Sequence, residues 1–462
     1  MFSNDLTQGS IRSHIRRIAI PASIGMLFNT LFNIVDTIYA GNISTTALAG
    51  MSLSFPIFFI VISLALGIGT GATALISNAL GEKDSVKFHN YGYNAIVLGV
   101  VIAIFISIFG NRLVSEPLLN FMGGSQEALG FASDYIVVIF WGSIFFIMNM
   151  IINSMLSSQG DTKTYRNVLI IGFILNLVLD PLFILGWFGI PKMGTAGVGL
   201  ATVIVQAVGT VYLVYRLMKS QAFDKELFKK SKVSMKVWKE LLTQSIPASL
   251  NMMTIALGVF VINFYVVRLG GDETIAAYGA AVRIEQLALL PALGLNTAAL
   301  TIVGQNYGAK NYDRILLTYK KTMKYAVAIM VIAMFVIYPT AGFFIKIFNQ
   351  DPAVIDAGVR YLRIEYLCFT TYVIMSISIS ALQGLKRPSV AIYVGLYRQI
   401  LMPLGLFYLL GYTLSLGVEG IWWGVVIINW TATMFVVLFT LSKFKEIKKE
   451  LFVTPKYIEE TT

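Results

Sequence analysis

The chain has 462 residues, a formal net charge of +11, 56% apolar residues and only 13% charged ones. Ordinary soluble domains carry roughly 25% charged residues, which excludes a water-soluble globule of this length. A single cysteine, Cys368, excludes an intrachain disulfide. The two histidines, His14 and His89, fall in separate segments and support neither a metal site nor a redox centre.

The apolar residues come in blocks of spanning length, for which about 20 helical residues are needed. In chain order the predicted helices cover residues 15–40, 46–80, 91–109, 131–157, 165–187 and 196–217, then 241–268, 274–307, 317–345, 358–382, 389–412 and 417–441. Short alternating segments of the kind that build membrane barrels are missing from the pattern. The first apolar stretch contains Asp36 and is too long for the core of a cleavable signal, so it reads as a retained helix. The expected class is an all-α polytopic membrane protein with twelve transmembrane helices.

Lysine and arginine are distributed unevenly between the two sides. Most of the 35 lie in the N-terminus, the C-terminus and every second connection, with Lys225, Lys229, Lys230, Lys232, Lys236 and Lys239 in one stretch. The opposite connections hold only Arg112, Lys192, Arg268, Lys346, Arg360 and Arg363. The positive-inside rule then places both termini in the cytoplasm. The basicity is topological, and no nucleic-acid partner is expected.

The chain repeats. Ile20-Pro21-Ala22-Ser23 recurs as Ile246-Pro247-Ala248-Ser249, and Asn78 to Lys83 resembles Asn306 to Lys310. The Tyr135 region resembles that of Tyr361, Gln159-Gly160 matches Gln383-Gly384, Gly194-x-x-Gly197 matches Gly417-x-x-Gly420, and Asp180-Pro181 aligns with Met402-Pro403. Matches in one order, each at the same point of a six-helix pattern, describe a parallel repeat about an axis along the membrane normal. The expected domains are a six-helix lobe over 1–218, a basic cytoplasmic linker over 219–240, a second lobe over 241–445 and a tail over 446–462. Two pseudo-symmetric six-helix bundles suit a secondary transporter better than an enzyme or a channel.

Acids inside a membrane are costly and mark function by default. Asp36, Asp180, Glu285 and Glu365 lie well within predicted helices. Asn29, Asn33 and Asp36 share one helical face by spacing. Asn176 stands one turn before Asp180, and Tyr135 enters at the same depth. Asn149 and Asn153 form a further polar pair. The asparagines singly read equally well as glue between helices. Two carboxylates at one depth, without a basic residue at membrane depth in that half, read as a coupling site, since such a group readily holds a proton. The matching positions of the second half, Ile262 or Asn263 and Met402, carry no acid. Glu285 and Glu365 have Arg283 and Arg398 available across helices, and a structural ion pair is expected there. Pro21 and Pro247 stand at matching helix entries, where proline is either tolerated or kinks the helix. Gly67, Gly69 and Gly71 read as close helix packing. No Walker A motif is present, so nothing points to an ATPase.

Taken together, these motifs resemble the multidrug and toxic compound extrusion (MATE) family. The resemblance covers nearly the whole chain and rests on Pro21 after a basic start, Asn33-x-x-Asp36-Thr37, Gly81-Glu82-Lys83-Asp84, Gln159-Gly160-Asp161-Thr162, Asn176-x-x-x-Asp180-Pro181 and Gly304-Gln305-Asn306-Tyr307-Gly308-Ala309. It implies a V-shaped pair of bundles in the cell membrane, a monomer without cofactor, that exports amphipathic, often cationic drug-like compounds in exchange for H⁺ or Na⁺. By motif match Asp36 and Asp180 would carry the ion, with Asn176, Tyr135 and Thr202 as partners. Asn29, Asn33, Asn153 and Asn176 would face the drug. Helix 7 has no acid within the membrane, which resembles the DinF-like branch and leaves Glu285 as the second-lobe alternative. The rival readings are a lipid-linked precursor flippase, which would need a more cationic cavity, and a membrane-embedded enzyme, which would need a metal cluster or nucleophile at membrane depth.

Overall fold

Inside hydrocarbon no water satisfies the backbone, so each apolar run folds into a helix that bonds its own peptide groups. The computed structural model describes residues 5–109 and 112–453, and every regular element among them is helical. The first half contains α1 (Ile11–Ile43), α2 (Thr45–Gly81), α3 (Ser85–Phe109), α4 (Gln126–Trp141 and Ser143–Ser158), α5 (Lys163–Leu185) and α6 (Gly194–Met218). A 74-residue stretch, Met235–Gly308, follows, and it breaks at Gly271 into α7 (235–270) and α8 (272–308). The remaining spans are α9 (Tyr312–Phe348), α10 (Pro352–Gly384), α11 (Val390–Thr413) and α12 (Gly417–Val453). Twelve spans result among the described residues, as the apolar pattern predicts.

Local chemistry sets the ends and breaks. Ser44 caps α2 by accepting from Ala47 N at 2.9 Å, and Asp351 caps α10 with Pro352 in its first turn. Gly271 stops α7 because its φ of +70° and ψ of −167° belong to glycine. In α4 the bend of 48° falls at Gly142, where an added Cβ would sit 2.2 Å from the Val203 side chain of α6.

The repeat shows in matching turns as well as in hydropathy. Asp84 N bonds Ala79 O at 3.0 Å after α2, and Asn311 N bonds Asn306 O at 2.8 Å after α8, with Lys83 and Lys310 both left-handed. After α4 and α10 the same closure joins Asp161 N to Leu156 O and Arg387 N to Leu382 O, which makes Gly160 equivalent to Lys386. The sequence match of Gln159-Gly160 to Gln383-Gly384 is therefore two residues out of register. The shared dipeptide drew the alignment, whereas the turn fixes it.

Contacts divide the chain into two compact units. Among the described residues, the first holds Asp5 and residues 20–249, and the second holds Leu6–Ala19 and residues 250–453. Residues 6–19 therefore pack within the second unit, where Leu6, Ile11, Ile15 and Ile18 join its core. Arg314 fixes them by donating to the carbonyls of Leu6, Gln8 and Gly9 at 2.9–3.1 Å. Residues 219–249 pack within the first unit. There Asp224 N donates to His89 Nε2 at 2.7 Å, and Asn94 bonds both Lys232 O and Ser234 N. Pro21 and Pro247 each lie within two residues of a boundary between units.

Candidate functional site

In the first unit α1, α5 and α6 bring polar side chains into one buried cluster. Asp36 is 6% exposed, and Asp180 and Asn176 are fully buried. Asn176 Nδ2 donates to Asp36 Oδ1 at 2.9 Å. The Thr202 hydroxyl lies 3.4 Å from Asp36 Oδ2 and 2.9 Å from Val198 O, the nearer acceptor. The Asp180 carboxylate lies beside that of Asp36, yet among the described residues no donor completes a hydrogen bond to either Asp180 oxygen. Asn176 Oδ1 is likewise buried without a donor. Tyr135, also buried, packs edge-on against Phe58 and lies close enough to both acids to sense their charge.

Such a cluster is short of positive charge. Two ionised carboxylates about 4 Å apart repel by roughly 4 kcal/mol even at an effective dielectric constant of 20. No ion pair within 4 Å relieves either acid among the described residues. A proton or a small monovalent cation would relieve that repulsion, and the oxygens of Asn176 and Thr202 could serve either.

The other residues singled out by sequence lie outside this cluster. Asn29 and Asn33 are on exposed parts of α1, where Asn33 Nδ2 donates to Asn29 O at 2.9 Å. Asn153 is half-buried, with its Oδ1 unpartnered. Asn149 is glue between helices. It donates to Gln206 O at 3.0 Å and to Gln206 Oε1, and it accepts from Thr210 Oγ1 at 3.0 Å. Asn149→Ala is expected to cost about 1–3 kcal/mol by stranding those buried partners. Thermal unfolding in detergent should record the loss, and the ion dependence of transport should keep its form.

The second unit holds acids of its own. Glu365 is fully buried and Glu285 is 7% exposed. The Tyr372 hydroxyl donates to Glu365 Oε1, and Tyr361 lies near enough to both acids to feel their charge. Tyr278 stacks on Trp422 at 5.6 Å beside them. Glu285 Oε1 and Glu365 Oε2 have no donor among the described residues. The expected ion pairs with Arg283 and Arg398 do not form within 4 Å among the described residues. Arg283 is exposed, two residues round the helix from buried Glu285, and lies 5.9 Å above the Phe348 ring instead. One tyrosine partner is legible in the sequence: Tyr372 follows Glu365 by seven residues, about two helical turns on.

The MatE family model matches residues 21–182 and again residues 247–409, so its two copies start at Pro21 and Pro247. The chain belongs to the MATE family. It is 27% identical to the probable multidrug resistance protein NorM of Thermotoga maritima, over 94% of each chain. It is 26% identical to the FAD transporter of Shewanella oneidensis, over 84% of this chain and 86% of that one. An outward-facing multidrug resistance MATE transporter of the MOP superfamily superposes with a TM-score of 0.90 at 26% identity, over 97% of this chain and 99% of that one. The protein is accordingly a multi-pass membrane transporter of the multidrug-efflux kind, not an enzyme.

Proposed function

We propose that this MATE transporter is an antiporter that expels amphipathic, mainly cationic compounds in exchange for H⁺ or Na⁺ entering at Asp36 and Asp180. It works as a monomer in the cell membrane with both termini in the cytoplasm. The observation that carries this reading is the pair of adjacent buried carboxylates, Asp180 without a hydrogen-bond donor and neither acid with a basic partner among the described residues. An ion bound between them removes their repulsion and their attraction for a cationic drug together. Ion and substrate thus favour different states of one unit, which is all that coupling requires.

The test is efflux of ethidium from proteoliposomes with the pH gradient and the sodium gradient collapsed separately. Efflux should stop on collapse of one of them, and that one names the ion. Efflux indifferent to both would refute antiport.

A further inference from the structure

The second unit contains a cavity of about 50 Å³ that the acid cluster does not explain. Tyr372, Arg398, Gln399, Phe407 and Asn429 are among its lining residues, and Arg398 is the one cation in that lining. A water needs roughly 10–15 Å³ on this measure, so the space takes a few waters or a small head group, not a whole drug.

Arg398 lies eight residues into α11, near the middle of the span, where an unbalanced charge is costly. Its partners are neutral. Nη1 is 3.4 Å from Asn429 Oδ1. With the Gln399 amide turned so that its oxygen faces the guanidinium, Nη2 is 2.7 Å and Nε 3.3 Å from that oxygen. The guanidinium lies 5.5 Å from the centre of the Tyr372 ring. Glu365 is near enough to act on Arg398 electrostatically, but it accepts from the Tyr372 hydroxyl and makes no ion pair within 4 Å. Guanidinium has five N–H donors, and neutral amide oxygens satisfy some of them without balancing the charge.

The backbone is shaped around this group. α11 widens into a π-turn over Tyr397–Leu401, a distortion concentrated at functional sites. α7 makes room with Gly258, where an added Cβ would lie 2.6 Å from Gln399 Cδ. A fork of donors, held by fixed acceptors and facing a small cavity, matches a planar oxyanion.

We propose that this cavity binds a carboxylate, or a similarly small oxyanion group, carried by an amphipathic substrate. Arg398 is its counter-ion, and Gln399 and Asn429 hold the guanidinium in place. The substrate's role rests on the export reading above, whereas anion binding does not.

Rhodamine 123 and rhodamine 110 share one ring system, the first a cationic methyl ester and the second its zwitterionic free acid. Their binding to the purified full chain is read by fluorescence anisotropy. Wild type should bind both, and Arg398→Gln should lower the affinity ratio of rhodamine 110 to rhodamine 123 by about tenfold. Arg398→Lys, which keeps charge without the fork, should lower it less. In wild type, acetate should displace rhodamine 110 selectively and acetamide should not, an arm that needs no variant. A wild type that fails to bind rhodamine 110, or a ratio unchanged in Arg398→Gln, overturns the site. Displacement of both dyes alike by acetate shows a free anion site and overturns the substrate assignment. Rhodamine 123 binding without rhodamine 110 binding sinks this inference alone, while intact binding without gradient-driven efflux sinks the export reading alone.

Discussion

Asp36→Asn protein in liposomes is expected to lose gradient-driven export of ethidium by about tenfold or more, a deficit of at least 1.4 kcal/mol in coupling. Asparagine is nearly isosteric, and its carbonyl still accepts from Asn176, so the cluster's packing persists. What disappears is one of two adjacent negative charges. Asp180 is then left with a neutral amide beside it, and the repulsion that an incoming ion relieves is gone. Removing a like-charge contact from a buried site should leave the thermal midpoint unchanged or raise it, which separates lost coupling from lost fold. Asp180→Asn should act in the same direction. Because the two acids work as one unit, the double variant should be no worse than either single, which a double-mutant cycle reads directly. Undiminished efflux by Asp36→Asn under an imposed pH gradient would remove the carboxylates from the mechanism.

Much of this was legible in the sequence because a membrane leaves few options. Apolar length fixes the helices, and the repeat marked by Pro21 and Pro247 fixes the two halves. The acids stand out because so few charges lie at membrane depth. What spacing does not give is the partner. Residues 29, 33 and 36 share an azimuth on α1, yet Asp36 is buried and the two asparagines are exposed, because Asn176 of α5 and Thr202 of α6 converge on Asp36 and not on the turns before it. Nor does charge complementarity place an arginine. Arg283 and Arg398 looked like counter-ions for Glu285 and Glu365, but one is turned outward on its own helix and the other is held by amides. The affiliation of residues 6–19 with the second unit depends on Arg314 and on apolar contacts some 300 residues away in sequence, which no local pattern records.

Gly71→Val is expected to be strongly destabilising, by about 3 kcal/mol or more. Two of the three glycines of α2, Gly67 and Gly71, meet the start of α7. A Cβ on Gly71 would lie 2.3 Å from Ser245 Oγ and 2.8 Å from Ser245 N, and one on Gly67 would lie 1.9 Å from Ser249 Oγ and 2.7 Å from Ser249 N. A side-chain oxygen can rotate away, but a backbone nitrogen in a helix cannot, so the two helices must part. Gly130 serves as the control, because nothing lies within 4 Å of its Cβ position. Gly130→Ala should be neutral or stabilising by about 0.5–1 kcal/mol. Tryptophan fluorescence during heating in detergent reads both, and Trp238 reports locally, since it lies in the segment that would detach. Equal midpoints for Gly71→Val and Gly130→Ala would show that α7 is not held there. A large difference would establish that residues 235–249 are anchored to the first unit through backbone contact. The chain passes to the second unit directly after Ser249, so such an anchor holds Pro247 with the first unit and leaves any bending of α7 to the residues that follow Ser249.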